Sequence, residues 1–173
     1  MTLEIITLTM AAMTTLTGGL KPVDNEHFLI YGDIIEIDPV QMKENDAPDC
    51  QVVVYQDGEI YVAFNSNEEG KYVFNLPINH NYEIVYGGVD YVNKKIVIDA
   101  HNLAQSRYGH KVQLDMGIFK SYDGVDYSCL EQPVALMAFD SMYGKFSFDE
   151  KYSKKQSKAV YKCLKEIVKL HAD

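Results

Sequence analysis

The hydrophobic and polar positions take on a strand-like rhythm near His27 and keep it to about residue 149. "FLIYGDIIEID" (28–38) alternates imperfectly, and Gly32 inside it predicts a bulge or an edge bend. The polar stretch 40–49, with Pro48, reads as a loop. "QVVVYQ" (51–56) and "EIYVAFNS" (59–66) flank Asp57-Gly58, a two-residue hairpin signal, because both central positions of a type I′ turn need positive φ. In "GKYVFNLP" (70–77) Tyr72, Phe74 and Leu76 share one face, and Pro77 ends the strand because it has no N–H for the ladder. "NYEIVY" (81–86) sets Tyr82, Ile84 and Tyr86 in register, Gly87-Gly88 turns the chain, and "KKIVID" (94–99) follows. Segments 71–76, 81–86 and 94–99 are thus expected to be three successive antiparallel strands. Val112, Leu114, Met116 and Ile118 alternate in 111–122, while 133–140 and 144–149 are parted by a turn at Tyr143-Gly144. Strands this short and regularly spaced predict a β-sandwich or barrel, not βαβ units.

The two ends differ from this body. From about Ser153 to His171 there is no Gly or Pro, and Gln156, Val160, Cys163, Ile167 and Leu170 fall at helical spacing, so an amphipathic helix is expected. Asp149 or Ser153 is placed to cap it. At the other end, Ile5 to Leu16 resembles the apolar region of an export signal, with small residues near Thr17-Gly18-Gly19. Glu4, where a positive residue belongs, fits instead a disordered or first-strand terminus. Threonines interrupt the apolar run too soon for a membrane span. The chain of 173 residues therefore divides into a signal-like or unstructured segment at 1–22, a sandwich domain at 23–149 and a basic helix at 150–173.

Composition narrows the partners. The chain has 13 Tyr, 7 Phe and no Trp, and tyrosine suits a pleated, half-buried surface. The formal net charge is −9. Residues 1–150 carry more than twice as many acids as bases, whereas 151–173 carry seven lysines against two acids. An acidic body argues against nucleic acid, whose phosphates need clustered cations. Cys50, Cys129 and Cys163 form no CxxC or Cys/His ligand spacing. A Cys50–Cys129 bridge fits an oxidising compartment, and three buried thiols is the expected alternative.

The order of these segments resembles a known family. Gly32 in the first strand, the hairpin at Asp57-Gly58, the strand carrying Gly70, Lys71, Phe74, Leu76 and Pro77, and then "DYVNK" (90–94) are similar to the carboxypeptidase-regulatory-like domains. These are transthyretin-like β-sandwiches of secreted and envelope proteins of Bacteroidetes. Asp90 stands where that family usually has Gly, and the likeness spans about residues 28–99. It implies an all-β, transthyretin-like or Ig-like antiparallel sandwich in a non-catalytic module of the periplasm, envelope or secreted fraction. It brings no catalytic residues.

Candidate chemistry is sparse. His101 and His110 with Asp99 and Asp115 are the one set that would converge on a metal if adjacent strands align, which would favour a small metal-dependent hydrolase. Asp123 and Asp126, and Asn65, Asn67, Glu68 and Glu69, lie on turns that resemble weak calcium loops without matching one. No G-x-S-x-G or phosphate-loop motif is present, and no motif asks for a cofactor. Tyr61, Tyr72, Tyr82, Tyr86 and Tyr91, with Tyr55 beside them, make a candidate face for a protein partner or a carbohydrate, although packing accounts for many such tyrosines. Lys154, Lys155, Lys158, Lys162, Lys165 and Lys169 give the helix three possible roles. It docks on the sandwich, pairs with another helix, or lies on an anionic membrane with Val160, Leu164 and Ile167 inward. The expectation is a non-enzymatic binding or structural module acting through protein–protein contact. A metal-dependent hydrolase or a carbohydrate-binding accessory module is the alternative. The oligomeric state is not readable.

Overall fold

A computed structural model describes residues 25–171, so the signal-like segment at 1–22 lies outside the described residues. The first strand, β1 (His27–Asp38), is the spine of one sheet. Its first half pairs antiparallel with β5 (Lys71–Pro77) and parallel with β8 (His110–Gln113). Its second half pairs antiparallel with β2 (Lys43–Asp46) and parallel with β9 (Met116–Ile118). The other sheet runs in the order β11 (Lys145–Phe148), β10 (Ala135–Asp140), β7 (Tyr91–Asp99), β6 (Asn81–Gly88), β3 (Gln51–Gln56), β4 (Glu59–Asn65). The two sheets face each other over one core, and a single helix, α1 (Glu150–His171), closes the chain. The molecule is the expected sandwich with a C-terminal helix.

Local detail departs from the pattern in instructive places. β5 and β6 are not neighbours: β5 belongs with β1, and the chain crosses to the other sheet before β6, so only β6 and β7 of the expected three form an antiparallel pair. The sandwich is also not wholly antiparallel, since β10 runs parallel to β7 as β8 and β9 do to β1. The presumed loop at 40–49 contains β2, because β1 outruns β5 and its last residues take a new partner there. Gly32 makes no bulge. It sits in continuous pairing, and a Cβ there would lie 2.0 Å from the Leu114 carbonyl oxygen, so the reason for glycine is close backbone approach. The Asp57-Gly58 turn has the expected positive φ at both positions, 50° and 93°.

The core holds Phe28, Ile30 and Ile34 from β1, Val52 and Val54 from β3, Ile84 from β6, and Ile96 and Ile98 from β7. Val112, Leu114, Met116 and Ile118 are all buried, as their alternation predicted, although the chain between them breaks into β8 and β9. A second, smaller cluster lies beneath α1, where Ile167 packs with Phe119 and Leu130. α1 starts at Glu150, three residues before the predicted position, and Asp149 caps it by accepting the Tyr152 N–H at 2.8 Å. A Cys129–Cys163 disulfide ties it to the short 3-10 turn Ser128–Leu130. Neither cysteine expectation holds: Cys163, on the helix's inward stripe, is the partner of Cys129, and Cys50 is the buried free thiol.

Candidate functional site

Most of the tyrosine face dissolves into structure. Tyr72, Tyr82 and Tyr86 point between the sheets, and Tyr86 is wholly buried. Their hydroxyls are spent there. Tyr72 Oη donates to the Leu114 carbonyl at 2.5 Å and accepts from Tyr86 Oη at 2.9 Å, while Tyr82 Oη donates to the Pro77 carbonyl at 2.6 Å. Burial raises the pKa of all three phenols, so they stay neutral donors. Tyr91 is half-buried, with its hydroxyl donating to Glu36 at 2.5 Å. Of the five, only Tyr61 is a surface residue, 45% exposed on β4.

Tyr61 marks a different feature, the open side of the sandwich. Among the described residues β4 is the last strand of its sheet and pairs with β3 alone, and β5 is an edge of the opposite sheet. The two edges lie side by side, with Phe64 of β4 packed 5.1 Å from Phe74 of β5. Ile60 is 66% exposed, Val73 of β5 is 64% exposed, and Ala63 is also at the surface. β4 has no Lys or Pro, two of the features that guard an edge against pairing, although a bulge at Tyr61 interrupts its register with β3. A hollow of about 590 Å³ opens between the edges, with Phe64, Asn65, Tyr72 and Val73 in its walls. The acids Asp57, Glu59, Glu68 and Glu69 flank the turns at either end of β4, and Glu69 is engaged by Lys71.

The second feature is a groove between α1 and the sandwich. Ile37, Met116, Val134, Val160 and Leu164 line it, together with Lys94 and Ser153, over about 530 Å³. Sequence reasoning passed over Lys94, although a signal was present: it falls on the same parity as Ile96 and Ile98, which face the core. Lys94 is 6% exposed, its Nζ donates to the Gly117 carbonyl at 2.5 Å, and it lies 4.6 Å from the Phe119 ring centre. Burial pushes this ammonium down to about 8.

The histidine set does not gather. His101 Nδ1 lies 2.6 Å from Asp99 within its own turn, whereas His110 Nε2 meets the Ala104 carbonyl at 2.7 Å and its ring packs edge-on to Phe139. Asp115 instead accepts the Asp33 N–H at 3.0 Å, and among the described residues no three His, Cys, Asp or Glu side chains converge as a metal site. The two turns do local work: Asp126 accepts from Ser128, and Asn67 accepts from the Glu69 and Lys71 amides.

Lys154, Lys155, Lys158, Lys162, Lys165 and Lys169 are all exposed. The apolar stripe that a membrane would need is turned inward, with Ile167 buried and Val160 and Leu164 packed against the second cluster. Docking is therefore the role the helix takes in the structure, and Tyr152 Oη donating to the Pro133 carbonyl at 2.8 Å pins its first turn. Among the described residues no helix is long and apolar enough to cross a membrane.

No family model matches the chain, and no curated protein matches it. Solved structures do. A protein described as the Bacillus anthracis TIE protein matches at TM-score 0.40 and 17% identity, over 55% of this chain and 17% of that one. The 3-chlorocatechol 1,2-dioxygenase of Rhodococcus opacus matches at TM-score 0.40 and 9% identity, over 58% of this chain and 62% of that one. A catechol 1,2-dioxygenase of an Acinetobacter species matches at TM-score 0.40 and 12% identity, over 67% and 59%. This chain spans less than two thirds of each, and likenesses at this level carry no argument about activity.

Proposed function

We propose that this chain is a non-enzymatic binding module of an envelope-associated or secreted protein, related to the carboxypeptidase-regulatory-like domains, and that it works by protein–protein contact at the β4 edge. The observation that carries the reading is that seven-residue edge, unguarded by Lys or Pro, with Ile60, Tyr61 and Ala63 outward. The occupant it fits is an extended segment of a partner protein, added as one more strand: backbone groups supply the affinity and alternate side chains the choice of sequence. The acids around β4 favour a segment with basic residues at its ends. The Cys129–Cys163 bridge supports the location, since such bonds persist where the surroundings are oxidising.

Two experiments test this. Extended peptides of alternating apolar and polar residues with lysine at both ends, selected on an array, are titrated into the ¹⁵N-labelled full chain. Shifts confined to β3 and β4, lost in Ile60→Lys with Tyr61→Lys, are the expected result; shifts elsewhere, or self-association through β4, overturn it. For location, cells are fractionated and the chain is alkylated before any reductant is added. A Cys129–Cys163 pair that escapes alkylation, in the envelope or secreted fraction, is expected, and a reduced, alkylated cytoplasmic chain removes that part of the reading.

A further inference from the structure

We propose that the groove beneath α1 is a binding site for a small apolar monocarboxylic acid, whose carboxylate is received by Lys94 and Ser153. The argument starts from two polar groups with unspent donors. An ammonium carries three N–H donors, and the structure uses one of them, on the Gly117 carbonyl. The Phe119 ring adds a cation–π contact but accepts no second proton in place of an oxygen. No carboxylate lies within ion-pair distance of Lys94 among the described residues, and burial is the sole cause of its lowered proton affinity. Ser153 Oγ, in the wall of the same groove, is buried with no hydrogen-bond partner, the one such side-chain atom among the described residues. Native proteins rarely leave a buried hydroxyl idle or a buried cation unpaired, because each forfeits its hydration without replacement.

The rest of the groove selects the body of the ligand. Its walls are mainly Ile37, Met116, Val134, Val160 and Leu164; Ser157 also lines it but spends its hydroxyl on the Ser153 carbonyl at 2.6 Å, and Tyr161 is largely exposed, so the part of the ligand away from the anion is mainly apolar. The volume of about 530 Å³ falls in the usual range for small-molecule sites, about 300–1,000 Å³. A second hollow of about 370 Å³ shares Ile37, Tyr161 and Leu164 and continues along α1 toward Met42 and Val168, but Asp38, Lys43, Glu44 and Lys165 also line it, so the apolar body of the ligand is held by the first groove. The head group is a carboxylate and not a phosphate because, among the described residues, Lys94 is the single cation in the walls of this groove and a dianion would be left half-neutralised; Lys43 and Lys165 line the second hollow, which Ser153 does not reach, together with Asp38 and Glu44. Acids do border Lys94 across a separate hollow, Glu83 and Glu131, but Glu83 is held by Lys95 at 3.3 Å. The site shares no residue with the β4 edge, so each proposal stands or falls alone.

The test titrates the full chain, carrying ¹³C,¹⁵N-lysine, with decanoate and, in parallel, with decan-1-ol and decyltrimethylammonium. Decanoate is expected to shift the Lys94 side-chain resonances and to bind at least about tenfold tighter than decan-1-ol, the increment of one charge-assisted hydrogen bond. Lys94→Met should bring the two ligands level, and Ser153→Ala should weaken decanoate a few-fold. Equal binding of decanoate and decan-1-ol by the wild type overturns the proposal without recourse to any variant. So do decanoate shifts spread over the exposed lysines of α1 in place of Lys94, or tighter binding of the cationic probe.

Discussion

The core between the sheets and the seam beneath α1 bury polar groups on opposite terms. Between the sheets, Tyr72, Tyr82 and Tyr86 bring hydroxyls inside, and each hydroxyl is consumed, by a neighbour or a carbonyl. Ser66 does the same, donating to the Ala47 carbonyl at 2.6 Å and accepting the Cys50 N–H at 3.0 Å. At the seam, Lys94 has donors to spare and Ser153 Oγ has no protein partner among the described residues. Both regions are buried, so burial alone does not separate architecture from capacity for binding. The balance of donors and acceptors does: the sandwich is a finished structure, and the seam is unfinished until something enters it.

The largest effect expected is on the finished side. Ile84→Ala removes a fully buried side chain from β6 and should cost about 4 kcal/mol of global stability by urea unfolding. Next, Cys163→Ser opens the link between α1 and the 3-10 turn, which spans a sequence separation of 34, and about 3 kcal/mol is expected. Amide exchange should accelerate in α1 while β6 and β7 stay protected; if α1, β6 and β7 all accelerate together, the two regions are one cooperative unit and the comparison fails.

Lys94→Met should move stability the other way. A fall from 10.5 to about 8 corresponds to about 3 kcal/mol set against the charged folded form, and methionine removes that cost. The sign with pH follows from proton binding. Between pH 8 and 10.5 the unfolded chain holds the lysine proton and the folded chain does not, so wild-type stability climbs over that window and the advantage of methionine fades. Cys50 opposes this above pH 9, because burial pushes its thiol up to about 11 and the unfolded chain releases that proton first. The difference between variant and wild type cancels Cys50, and thermal unfolding from pH 7 to 10 measures it. The smallest effects form a pair. Tyr72→Phe strands the Leu114 carbonyl and should cost about 1 kcal/mol, while Ser153→Ala, with no bond to lose, should cost nothing measurable.

Much of the sandwich was legible because a strand's period of two assigns faces reliably: Tyr72 with Leu76, Tyr82 with Ile84 and Tyr86, and Val112 through Ile118 all fall on buried sides. Period says nothing about what covers a face, and so the same tyrosines were read as a surface. It also cannot say which sheet a strand joins. The residues between β5 and β6 turn the chain equally well into a hairpin or a crossover, and only packing selects the second. β2 was invisible because "KEND" is wholly exposed and exists to satisfy the backbone of β1. Of the sites, the unguarded edge could be read in the absence of Lys and Pro from "EIYVAFN" once β4 is known to be outermost. Lys94 could be read from its parity, but the seam needs α1 laid over it, a long-range fact that no local pattern holds.

β1 has a consequence for how the chain reaches this state. Its neighbours on one side, β8 and β9, arrive late: Asp33 and Asp115, joined by a hydrogen bond, are 82 residues apart in sequence. During synthesis β1 must wait with one edge bare until residue 118 is available. Hairpins such as β3–β4 close at once, but the parallel pairings on β1 join strands 82 residues apart and so cost more chain freedom. Through that interval the bare edge of β1 is a template for pairing with another chain, so slow folding and a tendency to associate are expected until residue 118 arrives.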